Sequence, residues 1–375
     1  MKPIQMVDLV GQYEKIKPQV DAALLNVLGS AAFINGPEVK AFEKELAAYL
    51  GVGHVIGCAN GTDALQIAMM ALGLRPGDEV ITCSFTFVAT VEVVALLGAI
   101  PVFADVLPGT FNIDPEDVRR KITPRTKAIV PVHLFGQVAD MDPIMAIAQE
   151  HGLFVIEDNC QAIGADHLGK TGSRKAGGIG NFGTTSFFPS KNLGCYGDGG
   201  ALFTNDDDLA AKARRICNHG SDTRYFHEVI GVNSRLDSMQ AAILRIKLAN
   251  LDAYAQARNA AATAYDRAFS DLEHVVVPER SPSSTHVFHQ YTLRVLNGHR
   301  DALKAHLEAH GVPAMIYYPV PCHLQNAYRS DRFAEGSLPV TERITDEVLS
   351  LPMSTELDEE QLGHIINTLK GYFQQ

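Results

Sequence analysis

Short apolar runs alternate with helical patterns from about residue 55 to about residue 205, and this alternation restricts the possible folds more than any other feature. The runs are rich in Val, Ile and Phe and too uniformly apolar for a half-solvated sheet, which is typical of strands buried on both faces. The predicted strands are His54–Cys58, Glu79–Thr82, Ile100–Asp105, Ala128–Leu134, Leu153–Glu157, Thr184–Phe188 and Ala201–Thr204. The predicted helices between them are Thr62–Leu72, Thr86–Leu97, Pro115–Lys121 and Asp142–Glu150. The alternation predicts an α/β domain with a mostly parallel seven-stranded sheet and helices on both sides.

The sequence outside this core predicts a helix before it and a second domain after it. Asn35–Gly36–Pro37 is a helix start signal, and Val39, Phe42, Leu46 and Tyr49 follow at helical spacing. We therefore predict a large domain over residues 1–235 and a smaller C-terminal α+β domain over 236–375. Its predicted elements are one or two helices over Ser238–Leu272, a strand over 286–295, a helix over Arg300–His310, a strand over Pro313–Tyr318 and a helix over Asp358–Phe373.

Charge and cysteine content narrow the class of protein. The 375 residues include 32 Lys and Arg against 43 Asp and Glu, a net charge of −11 that argues against nucleic acid or a membrane surface as partner. The N-terminus has no signal-peptide core, and the apolar stretch Val93–Ala104 is shorter than the roughly 20 residues of a membrane-spanning helix. Six scattered cysteines without a CxxC pair read as reduced thiols. We expect a cytoplasmic protein.

Two segments at strand ends could bind a phosphate and a planar ring. In "CANGTDALQIA", residues 58–68, Asn60, Gly61 and Thr62 close a strand and open a helix, where free N–H groups can bind phosphate. The alternative is a plain turn with Thr62 or Asp63 as the helix cap. In "SFTFVAT", residues 84–90, Phe87 could form a flat wall for a ring, or could simply belong to the core.

Two further segments carry a carboxylate and a lysine. Asp158 ends the apolar strand of "FVIEDNCQAIGA", and a buried carboxylate there needs a cation or strong donors. A protonated ring nitrogen would serve, but so would a helix cap or an arginine. In "SFFPSKNLGCYGDGG", residues 186–200, Lys191 lies between aromatics and glycines, with Ser186 at a strand end. A desolvated lysine is a nucleophile toward an aldehyde, although a lone lysine is usually a solvated surface residue.

One ligand uses all four features. Pyridoxal 5′-phosphate has a phosphate, a flat ring, a basic ring nitrogen and an aldehyde, and no metal is needed. The carboxylate of Asp158 would keep the ring nitrogen protonated, so that the ring acts as an electron sink. Lys191 would be the Schiff-base lysine and, afterwards, the general base that moves a proton between substrate and cofactor carbons.

The sequence resembles the DegT/DnrJ/EryC1/StrS family of sugar aminotransferases nearly end to end. The motifs that carry the resemblance are "NGTDAL", "GDEVITCSFTFVAT", "TKAIVPVHLFGQ", "VIEDNCQAIGA", "SFFPSKNLGCYGDGGA", "NHG", "GVNSRLDSMQAAIL" and "YYPVPCHLQ". The resemblance implies fold type I, the fold of aspartate aminotransferase, and a homodimer with active sites at the subunit interface. Some family members carry His at the Lys191 position and act as dehydratases, so the lysine favours transamination. The chain departs from the commoner "DAA(H/Q)" by reading "DNCQ", which places Cys160 beside Gln161.

The resemblance also implies roles for individual residues. Lys191 holds the cofactor, Asp158 pairs with its ring nitrogen, and Phe87 stacks on its ring. Gln161 lies against the ring or its hydroxyl group, and the residues expected at the phosphate are Gly61, Thr62, Ser186 and, from the neighbouring subunit, Asn233. Arg235 is expected near the substrate across the same interface. Without the resemblance, "GVNSRLD" would read as a structural turn before a long helix.

Within the family, the motifs are most similar to those of 3-aminotransferases that act on UDP-linked N-acetyl-hexuluronates for bacterial surface polysaccharides, with glutamate as amino donor. Arg235 could bind the uronate carboxylate in a fork geometry, and Tyr317, Tyr318 and His323 are candidate walls for sugar or nucleotide. "YYPVP" could equally be an ordinary turn. The alternatives are a 4-keto-6-deoxy nucleotide sugar as substrate, or a non-catalytic regulatory protein on the same scaffold. Residues 166–183 could be a loop over the site or a solvated hairpin.

Overall fold

The computed structural model describes residues 2–170 and 172–374. The helices are α1 (Leu9–Ser30), α2 (Pro37–Leu50), α3 (Gly61–Ala71), α4 (Ala89–Leu96), α5 (Pro115–Lys121), α6 (Met141–His151), α7 (Asp207–Cys217), α8 (Ser238–Leu248), α9 (Leu251–Phe269), α10 (Arg300–Ala309), α11 (Pro339–Glu347) and α12 (Glu359–Phe373). The strands are β1 (His54–Cys58), β2 (Glu79–Cys83), β3 (Ile100–Ala104), β4 (Thr126–Val130), β5 (Phe154–Asp158), β6 (Asp166–Gly169), β7 (Gly172–Lys175), β8 (Phe182–Ser186), β9 (Gly200–Thr204), β10 (Val275–Val276), β11 (Tyr291–Val295) and β12 (Val348–Leu351).

The central sheet has seven strands in the order β1-β9-β8-β5-β4-β2-β3. Strand β9 runs antiparallel to both of its neighbours, and the remaining pairs are parallel. Each predicted strand of residues 54–204 corresponds to one strand of this sheet. The predicted fold class, a mostly parallel seven-stranded α/β sheet, is confirmed.

Both faces of the sheet are buried, which explains the uniformly apolar strand sequences. Successive side chains of a strand point to opposite faces. In β2, Val80 packs in one core with Leu65 and Phe182, whereas Ile81 packs in a second core on the other face with Phe103. A strand between two such cores can have no polar face.

Helices on the N-terminal side follow the predicted pattern in part. Helix α2 begins at Pro37 and ends before Gly51, whose φ of 67° is a left-handed conformation that glycine tolerates. The predicted helical region over residues 238–272 forms two helices, α8 and α9. Helix α8 packs on α1 and α2, and the domain boundary near residue 235 remains a prediction.

A three-stranded antiparallel sheet, β10-β11-β12, forms the centre of the C-terminal part. Its core includes Tyr265 of α9, Leu293 of β11 and Ile365 of α12. The predicted strand over Pro313–Tyr318 is wrong. That segment makes a single bridge, Met315 to Ser350, because the strand next to β11 is β12.

Residues 166–183 include the hairpin β6–β7 on the molecular surface. Leu168 N–H donates to the Ser283 carbonyl at 2.7 Å, and Thr285 N–H donates to the Asp166 carbonyl at 2.9 Å. None of the hairpin residues that the structure describes lines the large cavity of the same chain. Among helices of residues 2–170 and 172–374, none has the length and apolarity that crossing a bilayer requires.

Candidate active site

A cavity of about 810 Å³ opens at the carboxyl edge of the parallel strands, where β1, β2, β5 and β8 end. Ligands of open α/β sheets bind at this edge. The predicted site residues that line the cavity are Gly61, Thr62, Phe87, Asp158, Gln161, Ser186, Lys191, Tyr317 and Tyr318. Residues that are far apart in the sequence thus meet in one cleft.

Asp158 is 5 % exposed in the wall of this cavity. Its Oδ2 accepts a hydrogen bond from Thr90 Oγ1 at 2.8 Å, and its Oδ1 accepts one from Cys160 N–H at 3.2 Å. Within the described chain no arginine or lysine forms an ion pair with it, so the arginine alternative does not apply. A carboxylate held in this way can accept a further hydrogen bond from a group that is bound in the cavity.

Lys191 follows a tight turn in which its N–H donates to the Phe188 carbonyl at 2.8 Å. The glycine at position 194 is required there, because a Cβ atom would collide with the Pro189 carbonyl. Burial lowers the pKa of the Lys191 amine, while the charges of Cys160 and Asp158 act in the opposite direction. A lysine with a lowered pKa has a larger fraction of neutral, nucleophilic amine.

The start of α3 forms the anion-binding end of the cavity. Asn60 caps the helix, since its Oδ1 accepts Asp63 N–H at 2.8 Å, and neither Thr62 nor Asp63 is the cap. The N–H groups of Gly61 and Thr62 have no acceptor one turn earlier in the helix. A Cβ at Gly61 would lie 2.7 Å from Ser186 Cβ, so only glycine lets these two segments approach so closely. These donors and the hydroxyl of Ser186 suit a phosphate.

Aromatic side chains form the walls. Phe87 is 55 % exposed at the cavity, which is unusual for a core residue and suits a stacked ring. The Gln161 amide donates to Tyr318 Oη at 3.1 Å and accepts Phe135 N–H at 2.8 Å. Tyr318 is therefore held as a wall by Gln161.

Three predicted site residues do not line the cavity of this chain. His323 is fully buried, with Nδ1 2.7 Å from Ser84 Oγ and Nε2 3.2 Å from Glu342 Oε1, so its prediction as a wall is corrected. Asn233 and Arg235 lie outside the cavity, and their predicted approach from a second subunit remains a prediction.

Cavity residues that were not predicted from the sequence include His289, Gln290, Phe188 and Asp198. Gln290 and His289 belong to a segment that was predicted as strand. The sequence feature that could have indicated them is that two polar residues, His289 and Gln290, stand directly before the apolar strand β11. Among described residues, no group of three or more His, Cys, Asp or Glu side chains is arranged to hold a metal ion.

The donor set fits pyridoxal phosphate: a helix start for its phosphate, an exposed aromatic for its ring, a buried carboxylate for its nitrogen and a desolvated lysine for its aldehyde. Together with the sheet order, this places the protein among the pyridoxal-phosphate enzymes of fold type I. The chain belongs to the DegT/DnrJ/EryC1/StrS aminotransferase family, whose model matches residues 14–370. Its cofactor is pyridoxal 5′-phosphate; solved relatives include a form with bound PMP.

Curated relatives match nearly the whole length of the chain. It is 50 % identical over 374 residues to a "pleiotropic regulatory protein" of Geobacillus stearothermophilus, with 99 % of this chain and 98 % of the relative covered. It is 48 % identical over 366 residues to the UDP-2-acetamido-2-deoxy-3-oxo-D-glucuronate aminotransferase of Pseudomonas aeruginosa, with 98 % and 99 % covered. Other relatives are named as transaminases of dTDP-linked sugars.

Among solved structures, DesV of S. venezuelae in complex with a ketimine intermediate superposes with a TM-score of 0.96 at 41 % identity, covering 100 % of both chains. The chain is therefore a pyridoxal-phosphate-dependent sugar aminotransferase by family.

Proposed function

We propose that the protein transfers the amino group of glutamate to the 3-keto group of a UDP-linked N-acetyl-hexuluronate, in a pathway to bacterial surface polysaccharide. The observation that carries the transamination is that Lys191 and Asp158 line one cavity. The choice of sugar is supported by the 48 % identity to a relative named for a UDP-3-oxo-glucuronate.

The cofactor, when bound, supplies a protonated ring that withdraws electrons from the substrate carbon. Asp158 would keep the ring nitrogen protonated, and Thr90 orients this carboxylate through its 2.8 Å hydrogen bond. Gly61, Thr62 and Ser186 would bind the phosphate group. Because the residues that would hold the cofactor belong to helix α3 and strands β5 and β8, they would fix its position relative to the sheet.

When the cofactor is bound, Lys191 would hold its aldehyde, and the amine in its free form would act as the general base. Its Nζ would accept the proton from the substrate carbon that bears the nitrogen and would hold it for return at the cofactor side of the cavity. The lowered pKa of this amine supports the role, because only the neutral amine can accept a proton.

The substrate would lie between aromatic walls and a second copy of the chain. Phe87 and Gln161 would contact the cofactor ring, while Tyr317 and Tyr318 would face the sugar or nucleotide. A homodimer would bring Asn233 to the phosphate and Arg235 to the uronate carboxylate, for which a guanidinium fork is suited. Among the residues that the structure describes, no arginine lines the cavity of one chain, which supports a contribution from a partner.

The experiment is an assay of purified protein with pyridoxal phosphate, glutamate and two ketones. We expect a visible absorption band that glutamate bleaches, and turnover of the UDP-3-keto-uronate at least tenfold above that of a dTDP-4-keto-6-deoxy sugar. Lys191→Ala should abolish both the band and turnover. Equal rates with both sugars would contradict the uronate proposal, and colourless protein that takes up no cofactor would favour the regulatory alternative.

The proposed contact between Arg235 and the uronate carboxylate is tested by a separate substitution with its own control. Arg235→Ala should raise the KM for the uronate by tenfold or more, as expected for loss of a charged hydrogen-bonded pair. Arg174→Ala, on the exposed strand β7, removes the same charge away from the cavity and should change neither kcat nor KM. An Arg235→Ala enzyme that loses activity equally toward a sugar without a carboxylate would show that the arginine does not bind that group.

A further inference from the structure

Gln290 lines the 810 Å³ cavity, and the proposed reaction does not yet use it. Its side chain is 8 % exposed, and within residues 2–170 and 172–374 its amide forms no hydrogen bond. The amide nitrogen and oxygen are not enclosed by protein, so they remain open to cavity space. A nearly buried amide without partners is costly. Its presence in the wall therefore indicates a ligand group that supplies these hydrogen bonds.

A water molecule alone would not satisfy this amide. Gln290 also borders a second cavity of about 10 Å³, next to Thr110, His286 and Thr292, which has room for one water at most. A primary amide has two donor hydrogens and two acceptor lone pairs. One water leaves most of them unused, and the large cavity is the space in which a substrate can reach the remainder.

The backbone that carries Gln290 is held on both sides. Gln290 N–H donates to the Phe135 carbonyl at 3.2 Å. Arg258, only 2 % exposed, donates through Nη1 to the carbonyl oxygens of Phe288 at 3.0 Å and His289 at 3.3 Å. Phe288 has a φ of 44°, a left-handed conformation that is uncommon for an aromatic residue. The position of Gln290 is therefore set before a substrate binds, which lowers the entropy cost of recognition.

The segment that ends at Gln290 lies beside the turn of Lys191. The side chain of Asn192 donates to the Val287 carbonyl at 2.9 Å, three residues before Gln290. Lys191 and Gln290 line the same cavity. A sugar carbon that reacts at the Lys191 amine therefore brings the substituents of its neighbouring carbons close to this part of the wall.

The chemistry of the amide suits a neutral polar group of the substrate. An ionised carboxylate at a nearly buried position needs a cation. Among the described residues, Lys191 is the one lysine or arginine that lines the cavity, and the bound cofactor would engage it. An amide instead matches a group that both donates and accepts a hydrogen bond. The acetamido group of the proposed substrate is such a group, and it is attached to the carbon next to the 3-keto carbon.

We propose that Gln290 binds the acetamido group of the sugar and thereby determines which sugar is accepted. Its amide pairs with the acetamido N–H and carbonyl while the neighbouring keto carbon lies at Lys191. The inference rests on the proposed function, because it assigns the residue that recognises the sugar of that reaction. Gln290 exchanges no proton with the substrate and has no contact with glutamate.

Bleaching of the visible band of the cofactor-loaded enzyme tests the contact with one substrate at a time. The probes are the UDP-linked 3-amino-hexuluronate with a 2-acetamido group and the same sugar with a 2-hydroxyl group. We expect the wild type to bind the acetamido sugar about tenfold more tightly, the effect of about one hydrogen bond. Gln290→Leu, which has a similar size but no amide, should reduce this preference to about one. Gln290→Met, unbranched like glutamine, should have the same effect.

Glutamate provides the control in the same preparations. It carries no acetamido group, so both variants should bleach with glutamate within about twofold of the wild-type rate, which also reports an intact fold and bound cofactor. Equal weakening of both sugars, or a slowed glutamate reaction with an unchanged sugar preference, would overturn the role of Gln290. Wild-type enzyme that bleaches with glutamate but with neither amino sugar would instead refute the proposed function, so the two failures are distinguishable.

Discussion

Glu157 is a completely buried carboxylate next to Asp158, and replacing it with glutamine tests how the strand that carries the site is held. Its Oε1 accepts N–H groups of Ile179 at 2.6 Å and Gly180 at 2.7 Å. Its Oε2 accepts Gly177 N–H and His133 Nε2–H, each at 2.9 Å. Two carboxylate oxygens thus satisfy four donors, and side-chain alternation along β5 directs Glu157 away from the cavity that Asp158 faces.

Glutamine has the same shape but turns one acceptor into a donor. If its oxygen takes the Oε1 position, its NH₂ group faces the N–H of Gly177 and the Nε2–H of His133. His133 cannot switch to the tautomer that carries its proton on Nδ1, because Nδ1 already accepts a hydrogen bond from Ala139 N–H at 3.2 Å. Two buried donors are left without acceptors, at about 1–3 kcal/mol each. We expect Glu157→Gln to reduce the free energy of unfolding by about 4 kcal/mol.

Thermal unfolding followed by circular dichroism measures this loss. At about 2.1 cal/mol/K of unfolding entropy per residue, a chain of this length should show a Tm lowered by about 5 °C. The matched control is Asp207→Asn, which removes a carboxylate that is 94 % exposed beside His54 and should shift Tm by less than 1 °C. A Glu157→Gln shift no larger than this control would refute the hydrogen-bond reasoning.

The difference in Tm between the wild type and Glu157→Gln should depend on pH. Burial alone would raise the pKa of Glu157, but the hydrogen bond from His133, with the N–H groups of Gly180 and Gly177, holds it below its usual value. A carboxylate with a lowered folded-state pKa stabilises the fold above its unfolded pKa of about 4.3, and this stabilisation is lost as the pH falls through the folded-state value. The Tm difference between wild type and Glu157→Gln should therefore be constant near neutrality and narrow below about pH 4.3.

Two further substitutions test the cofactor end of the cavity. Gly61→Ala places a Cβ 2.7 Å from Ser186 Cβ and 3.0 Å from Cys160 Sγ. We expect it to weaken pyridoxal-phosphate binding at least tenfold in an absorbance titration. Unchanged affinity would show that cofactor binding does not need the close approach of Gly61 to Ser186. Thr90→Val removes the 2.8 Å hydrogen bond to Asp158 and should lower kcat about tenfold, whereas Thr90→Ser should retain it, and equal rates for the two variants would contradict the orienting role.

The central sheet was predictable because most of its strands are rich in apolar residues and buried on both faces. Such runs, bounded by turn residues, leave few alternatives to a buried parallel sheet. The helix α1 was missed since few of its 22 residues are buried and Pro18 interrupts its pattern. The strand expected over residues 286–295 shortens to Tyr291–Val295, because Phe288 adopts a left-handed conformation that no local pattern of an aromatic residue predicts.

The candidate site was predictable to the extent that it lies at strand ends. Gly61, Asp158 and Lys191 follow strands whose carboxyl ends must meet at one edge of a parallel sheet. His323 and His289 show the limit of this reasoning. Both lie in the C-terminal part of the chain, outside the strand–helix alternation. His323 is hydrogen-bonded to Ser84 and Glu342 outside the cavity, whereas His289 lines the cavity.

The sequence by itself determined the order and type of the core elements, indicated the cofactor and singled out Lys191 as the candidate lysine, because these depend on local periodicity and on residues next to strand ends. The tertiary structure alone decided which distant side chains share the cavity. The set of side chains in the cavity depends on how the C-terminal segments pack against the sheet. The left-handed conformation of Phe288 and the contacts of the buried Arg258 set the path of one such segment. Such contacts join residues a hundred positions apart, and no local pattern encodes them.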